Sequence, residues 1–541
     1  MTTTHAEPST PAAGLDVGAD PWIPVTMVDG TRGVYGLRGL LADAHRIESL
    51  AVGAPPAECA LLRILYALGL RVSGLDEMDG VGRYDLLEQG QFDVGEVDAY
   101  FARYSGRFGL FDPVRPWMQE PRLPSQMDVV VAKGRRAGQI DRKTSGIGKL
   151  AVTRASASSS AWFGAFHDGV PVPVPGVEAV GHLLTWLWYG QGGPQGPVRR
   201  TPAHTGRHAS VGPLRGLVSY HPTGRTLFET IVLGIPDTEL VDRDADVAPW
   251  EADELPDPGG ELPVAAGPVS LLTGRAQHAL LLVPNVAWSA AEDVYIAWAW
   301  PGALPPVMDP YLNWLEGSKG QRYAQRAQVG RSLFRDLDGL ILHRRPGSKQ
   351  RRPLVMDAIH DVPAEVLEHV GVAAYGFEQE REKAGGEKGW YRAVTPAVLR
   401  LIREEEAANA GRLAVARERA EVCANRLAWA VDEVWKETAV PAGDPEKKEY
   451  ASRSPLGERA LAAYWPLAEV EFWLLVEQRA WDRAVAVFGQ LAVSLYDRLS
   501  REITDAQQPR TVRAVVRHQG KVASMLPRTT EADTTTDGEA A

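Results

Sequence analysis

The sequence predicts an α+β protein. A large mixed N-terminal domain with long loops (19–394) precedes a C-terminal four-helix bundle (395–527), with disordered tails at 1–18 and 528–541. Three observations carry this reading. Residues 56–70 are apolar nearly all round at helical spacing, the mark of a buried core helix. Strand-like alternation broken by Gly and Pro recurs between 212 and 300. Near 395 the composition turns rich in Ala, Glu and Arg, and helical periodicity then runs to 526.

In chain order, residues 20–25 (DPWIPV) begin the ordered part, since Trp and Ile flanked by Pro favour an anchored strand. Helices follow at 37–50, 56–70 and 96–107. From 123 to 179 the period fades into Gly, Ser, Pro and basic residues, which reads as a long functional loop region with short strands. A helix at 177–189 runs into a Gly-rich stretch, 190–196 (GQGGPQG). Residues 212–234 give a strand, a Gly turn and a second strand or short helix; 271–283 and 293–300 read as paired strands. The C-terminal helices fall at 395–438, 457–475, 480–504 and 509–526, the first with Leu399, Ile402, Leu413, Val422 and Leu427 on its buried side.

At 541 residues, 45% of them hydrophobic and 23% charged, the chain has room for two to four domains and is not a disordered protein. No apolar run reaches membrane-spanning length, and the N-terminus lacks the basic start and apolar stretch of a secretory signal. Two cysteines far apart, Cys59 and Cys423, exclude a disulfide framework or a Cys-rich zinc site. The expectation is a soluble, cytoplasmic protein. The net charge of −11 argues against nucleic acid for the chain as a whole, but the charge is segregated. Residues 133–154 hold seven Lys or Arg against Asp141, 199–225 hold five Arg and no acid, and 237–261 hold ten acids against Arg243. Such segregation builds local positive surfaces on an acidic protein.

Catalytic motifs are missing from the sequence. The 190–196 stretch lacks the Gly-Lys-Ser/Thr ending of a phosphate loop and follows a helix, whereas a dinucleotide fingerprint follows a strand. Neither HExxH nor Gly-x-Ser-x-Gly occurs. His204 and His208 are four apart, but Pro202 and Gly206 argue against a helix that would align them on a metal. No catalytic residue, metal ligand or cofactor is therefore expected.

Several stretches together resemble one family, the CasA large subunit of the type I-E CRISPR surveillance complex (Cascade). They are 21–25 (PWIPV) with 37–50 (LRGLLADAHRIESL), 58–68 (ECALLRILYAL), 104–119 (YSGRFGLFDPVRPWMQ), 212–233 (GPLRGLVSYHPTGRTLFETIVL), 248–251 (APWE) and 271–275 (LLTGR), in the family's order. Within these, Trp22, Phe108, Phe111, Trp117 and Trp250 read as core aromatics. The resemblance implies a non-catalytic subunit in antiviral defence, soluble and not membrane-bound. Its implied partners are the guide RNA 5′ handle, double-stranded target DNA, other Cascade subunits and a helicase-nuclease effector. The protein would read the motif flanking the target and aid strand opening, while guide pairing reads the sequence.

The resemblance implies the site residues, by their position along the family's order. Gly190, Gln191, Gly192, Gly193 and Gly196, with Arg199 and Arg200, form the flanking-motif loop, where side-chain-free backbone can approach a minor groove. Lys149 and Arg154, with Phe163 or Phe166 as a stacking ring, form the guide-RNA loop. A hairpin at 375–390, turning at Gly385-Gly386, stands where the family has a wedge, with Gln379, Arg381 and Lys383 as its candidates. The family's groove lysine has no counterpart, because no lysine lies between Lys149 and Lys319; Arg225 or Arg275 could substitute. Arg498, Arg501, Arg510, Arg513, Arg517 and Lys521 would line a DNA path or pack on a neighbouring subunit. The alternative reading is a divergent metal-dependent hydrolase or nuclease whose Asp, Glu and His residues meet only in the fold.

Overall fold

A computed structural model describes residues 14–76, 82–131, 140–151, 154, 171–237, 242–301, 308–341, 351–379, 387–403, 407–439, 454–504 and 509–526. It is a mixed helix and sheet protein of two compact units: Met1–Val329 with His343–Arg403, and Gly330–Leu342 with Glu404–Ala541.

The first unit opens with a three-stranded antiparallel sheet in which β1 (Ile23–Met27) lies between β2 (Arg32–Tyr35) and β3 (Ile47–Leu50). The helix expected over 37–50 ends at Ala42. Ile47 and Leu50 instead bury themselves by pairing with β1, so strand burial overrides the helical spacing. The core is built on α1 (Pro55–Ser73), which is buried on nearly every face and packs on α2 (Gly176–Tyr189) and, past β4 (Gly193–Arg200), β5 (Thr205–Ala209) and β6 (Val218–Thr223), on α3 (Leu227–Gly234). Its Leu61, Leu62, Ile64, Leu65 and Leu68 are almost fully buried, and each such side chain contributes about 1.5–3 kcal/mol. The same helix carries Glu58, Cys59, Arg63 and Tyr66 inward, all buried and all partnered.

Further along, the strand expected from 271 begins only at His278, because Pro268–Thr273 is a helix with Pro in its first turn. Then β7 (His278–Pro284) pairs antiparallel with β8 (Ala290–Trp298). A further sheet orders β10 (Glu387–Val394), β9 (Gly371–Gln379) and β6, so the segment read as a hairpin is one. Residues 212–234 resolve into β6 and α3, with Thr226 capping the helix through Glu229 N–H. Trp22, Phe108, Phe111, Trp117 and Trp250 are all buried.

In the second unit, α4 (Ala407–Ala439) contacts α5 (Pro455–Gln478), α6 (Ala484–Thr504) and α7 (Pro509–Ala523). Leu413 and Leu427 are buried on α4 as the period requires, but Val422 is 43% exposed; it falls outside the stripe that faces the other helices. Residues 330–342 join this unit: Phe334 stacks on Phe472 at 4.6 Å, and Arg335 lies 3.8 Å from the Trp465 ring while pairing with Glu421 at 2.7 Å. No helix among the described residues is long and apolar enough to cross a membrane.

Candidate nucleic-acid interface

The Gly-rich stretch is not a free loop. α2 ends at Gly190, whose N–H still donates to the Trp186 carbonyl. Any side chain there would collide, because an added Cβ would lie 2.5 Å from the His278 ring and 2.6 Å from the Trp186 carbonyl oxygen. Gly193 enters β4 with φ +97°, a conformation that glycine adopts readily, and open space surrounds the place of its missing Cβ. β4 pairs with β5, but the register breaks between Pro194 and Arg199, since Pro194 and Pro197 offer no ladder donors.

Side chains replace the lost ladder. Gln195 is buried and folds back, its Nε2 donating to the carbonyls of Gln191 (2.5 Å) and Gly193 (3.2 Å). His278 Nε2 donates to the Gln191 carbonyl at 3.0 Å, and burial pushes its pKa down to about 4, which keeps the ring neutral. From the preceding loop, Lys149 Nζ donates to the Gln195 carbonyl at 2.6 Å, and Ser145 Oγ donates to the same oxygen at 3.1 Å. The segments around Lys149 and Gln195 are thus bonded to each other. Gln195 and Ser145 were not singled out by sequence, and neither residue type carries a signal that would have done so.

The hairpin root joins the same set of contacts. Tyr189, the residue before Gly190, stacks on Phe377 of β9 with ring centroids 5.5 Å apart. Arg215 donates to the Tyr189 carbonyl at 2.8 Å and lies 4.6 Å from the Phe377 ring. Glu58 of α1 then clamps both arms at one register position. Tyr375, opposite Arg392, donates its hydroxyl to Glu58 at 2.8 Å, and Arg392 pairs with that carboxylate at 3.2 Å. Burial raises the Glu58 pKa, while Arg392 and Tyr375 oppose the rise. Below the clamp, His221 stacks on Tyr311 at 4.4 Å and meets the Tyr66 hydroxyl at 3.1 Å.

Other expected contacts fall away. Arg199 is fully buried: it bonds Gln126 Oε1 and the Trp298 carbonyl, and stacks on the Trp298 ring at 4.7 Å, so it holds β4 and cannot reach DNA. Arg200 is exposed but paired with Asp128 at 2.8 Å. Arg225 pairs with Glu229 at 3.1 Å, one helical turn on. Arg275 is half-buried, and burial lowers its pKa. Arg154 donates to the Val172 carbonyl. Gln379 ends β9 beside Gly216, and Phe163, Phe166, Arg381 and Lys383 lie outside the described residues. A residue missed by sequence is Arg207, exposed on β5 next to His208, which pairs with Pro194; strand alternation alone placed it no better than its neighbours. In the second unit Arg498, Arg501, Arg510, Arg513, Arg517 and Lys521 are exposed; Arg517 pairs with Glu437 at 3.0 Å and Lys521 lies 4.4 Å from the Trp429 ring. Among the described residues no three His, Cys, Asp or Glu come together as a metal site, and Cys59 and Cys423 are both free and buried.

Comparison with known proteins agrees over most of the chain. A chain of a solved CRISPR RNA-guided surveillance complex is 33% identical, with 94% of this chain and 100% of that chain covered and a TM-score of 0.79. Two further structures share the fold at lower identity. CasA (Cse1) of Thermus thermophilus is 19% identical with a TM-score of 0.71, covering 95% of this chain and 99% of that one. Cse1 of Thermobifida fusca is 18% identical with a TM-score of 0.72 and the same coverage. The curated CasA/Cse1 protein of Thermus thermophilus is 25% identical over 329 residues; this match spans 60% of the chain and 59% of the relative's length. The family described as CRISPR-associated protein Cse1 matches residues 17–506, and the chain belongs to that family, the CasA large subunits.

Proposed function

We propose that the chain is the large, non-catalytic subunit of a type I-E RNA-guided surveillance complex, reading the motif that flanks a double-stranded target. In this reading the 190–196 segment lays backbone along the minor groove, and 145–166 meets the guide RNA 5′ handle. The hairpin of β9 and β10 aids strand opening, the C-terminal four-helix bundle supports the DNA path or neighbouring subunits, and the chain docks a helicase-nuclease. The carrying observation is the continuity of the three segments: Lys149 and Ser145 bond the Gln195 carbonyl, and Tyr189 stacks on Phe377. A groove reader needs such preorganisation, since a turn already held in place loses little entropy on binding.

The test is target binding by the reconstituted guide-RNA complex, with and without the chain, on matched duplexes carrying a randomised flank at two salt concentrations. Enrichment of a short flank only with the chain present, and a steep salt slope, are expected. Equal retention of all flanks with and without the chain would overturn the reading.

A further inference from the structure

A cavity of about 100 Å³ opens in the first unit, and nothing in the duplex-contact reading uses it. Trp117, Trp250, Trp300, Leu187, Leu280 and Pro256 make its walls mostly apolar, and the polar side chains among them already have protein partners: Gln119 bonds the Leu110 carbonyl and Leu282 N–H, Glu120 pairs with Arg122, and Thr273 bonds the Val269 carbonyl. Three observations separate it from ordinary packing. It is open to solvent on one side, and its volume is of the same order as the roughly 150 Å³ cavity that accepts a benzene ring, enough for one large side chain. The indole N–H of Trp117, a residue only 1% exposed, has no acceptor. The other unpartnered polar atom among the lining residues, His278 Nδ1, is pressed against Gly190, so the Trp117 N–H is an unpaired buried donor beside the cavity. Finally, Met118 (φ 58°) and Trp300 (φ 52°) both line the cavity in left-handed backbone that large side chains rarely adopt. Strain of this kind persists where surrounding structure imposes it, and it gathers at ligand sites.

We propose that this cavity is a docking site for one large apolar side chain, Phe, Leu or Met, of a partner polypeptide whose flanking residues are basic. The walls decide against a nucleobase. A base edge brings several donors and acceptors, which mostly apolar walls whose polar side chains are already partnered would leave unpaired. An apolar side chain brings none. The mouth decides the flanks. Asp253 is fully exposed and Glu254 is exposed beside the lining residues Leu255 and Pro256. The lining guanidiniums of Arg107 and Arg115 are turned onto the carbonyls of Ala252 and Asp253, and Arg107 also lies 4.0 Å from the Asp253 carboxylate, so the exposed acid that a basic flank would meet is Glu254. A preformed apolar pocket with a charged rim is the arrangement in which one anchor residue carries most of an interface.

The experiment uses the full chain and a dye-labelled peptide, acetyl-Lys-Lys-Phe-Lys-Lys-amide, read by fluorescence anisotropy. The chain carries 5-fluorotryptophan, and its Trp117 fluorine signal is assigned with Trp117→Phe. Saturable sub-millimolar binding that moves the Trp117 signal is expected. Replacing the peptide's Phe by Ala should weaken binding at least tenfold, as should Ala276→Phe, which fills the cavity from a half-exposed loop position. Glu254→Lys, on the exposed rim, should weaken the lysine peptide several-fold and strengthen a glutamate counterpart; it guards against a folding effect of Ala276→Phe. The proposal is overturned if the peptide does not bind, if binding ignores the Phe or the filled cavity, or if tetrauridylate displaces the peptide and moves the Trp117 signal instead.

Discussion

The two hairpins of the first unit reach order by opposite routes. β4–β5 has a broken ladder, and its Gly- and Pro-rich strand is held from outside by Lys149, Ser145, Gln195 and His278. β9–β10 pairs continuously from Ala373–Val394 to Glu378–Gly389 and is secured only at its root, by β6, the Tyr189–Phe377 stack and the Glu58 carboxylate. The first presents backbone and so gives up its own hydrogen bonds; the second presents a stiff lever and needs only its root secured. Loss of support should therefore be graded in the first hairpin and abrupt in the second.

The largest expected effect tests the first hairpin by pH. His278 is held neutral with its pKa pushed down to about 4. An unfolded chain takes up that proton near pH 6.5, so stability is lost as the pH falls from 6.5 to 4 and changes no further from this group below that. The total is on the order of 3 kcal/mol. His182, also pushed down to about 4, titrates in the same window, so His278→Gln should flatten a urea-midpoint profile by about one proton, not abolish its slope. The second hairpin is tested by Glu58→Ala, expected to cost about 2–3 kcal/mol; this sits at the low end for a broken buried pair because Arg392 is partly exposed. A shift in urea midpoint no larger than that of a surface substitution would show the clamp to be idle.

Gly190→Ala comes next, at about 2 kcal/mol from overpacking against His278. Adding His278→Ala should recover part of that loss in a double-mutant cycle, and strict additivity would place the clash elsewhere. The smallest stability effect belongs to Gly193→Asn, about 1 kcal/mol, because the space there is open but φ +97° strains any side chain. It should nevertheless erase flank enrichment in the reconstituted complex, a separation of binding from folding that a purely structural glycine would not show.

Much of this was legible in the sequence where periodicity or composition speaks. The core helix at 56–70 and the C-terminal helices announce themselves by spacing, and the β9–β10 pair by a Gly-Gly between polar arms, but Leu399 and Ile402, read as part of the first C-terminal helix, form a separate short helix of the first unit. Two kinds of feature do not announce themselves. Short strands such as β3 look helical because local spacing carries no record of β1, their partner. The anchors are also remote: Glu58 meets Tyr375 across most of the first unit's chain, and His278 meets Gln191 from a later strand. Arginine is the hardest case. Arg199 and Arg200 are neighbours of one type, yet strand alternation sends the first into the core and the second to solvent, so a basic cluster in sequence overstates the charge that a surface displays.

Residues 330–342 carry one more consequence, for how the chain is made. The polypeptide leaves the first unit at Val329, lends a short segment to the C-terminal helices, and returns before leaving again at Arg403. On the ribosome, Phe334 and Arg335 emerge long before Trp465 and Phe472, so an aromatic plug waits uncovered until the last helices are synthesised. A fragment beginning at 404 would lack that plug and expose the apolar surface it covers. The second unit's assembly is therefore tied to completion of the whole chain, and a chain truncated before α5 carries a sticky patch that quality-control machinery can recognise.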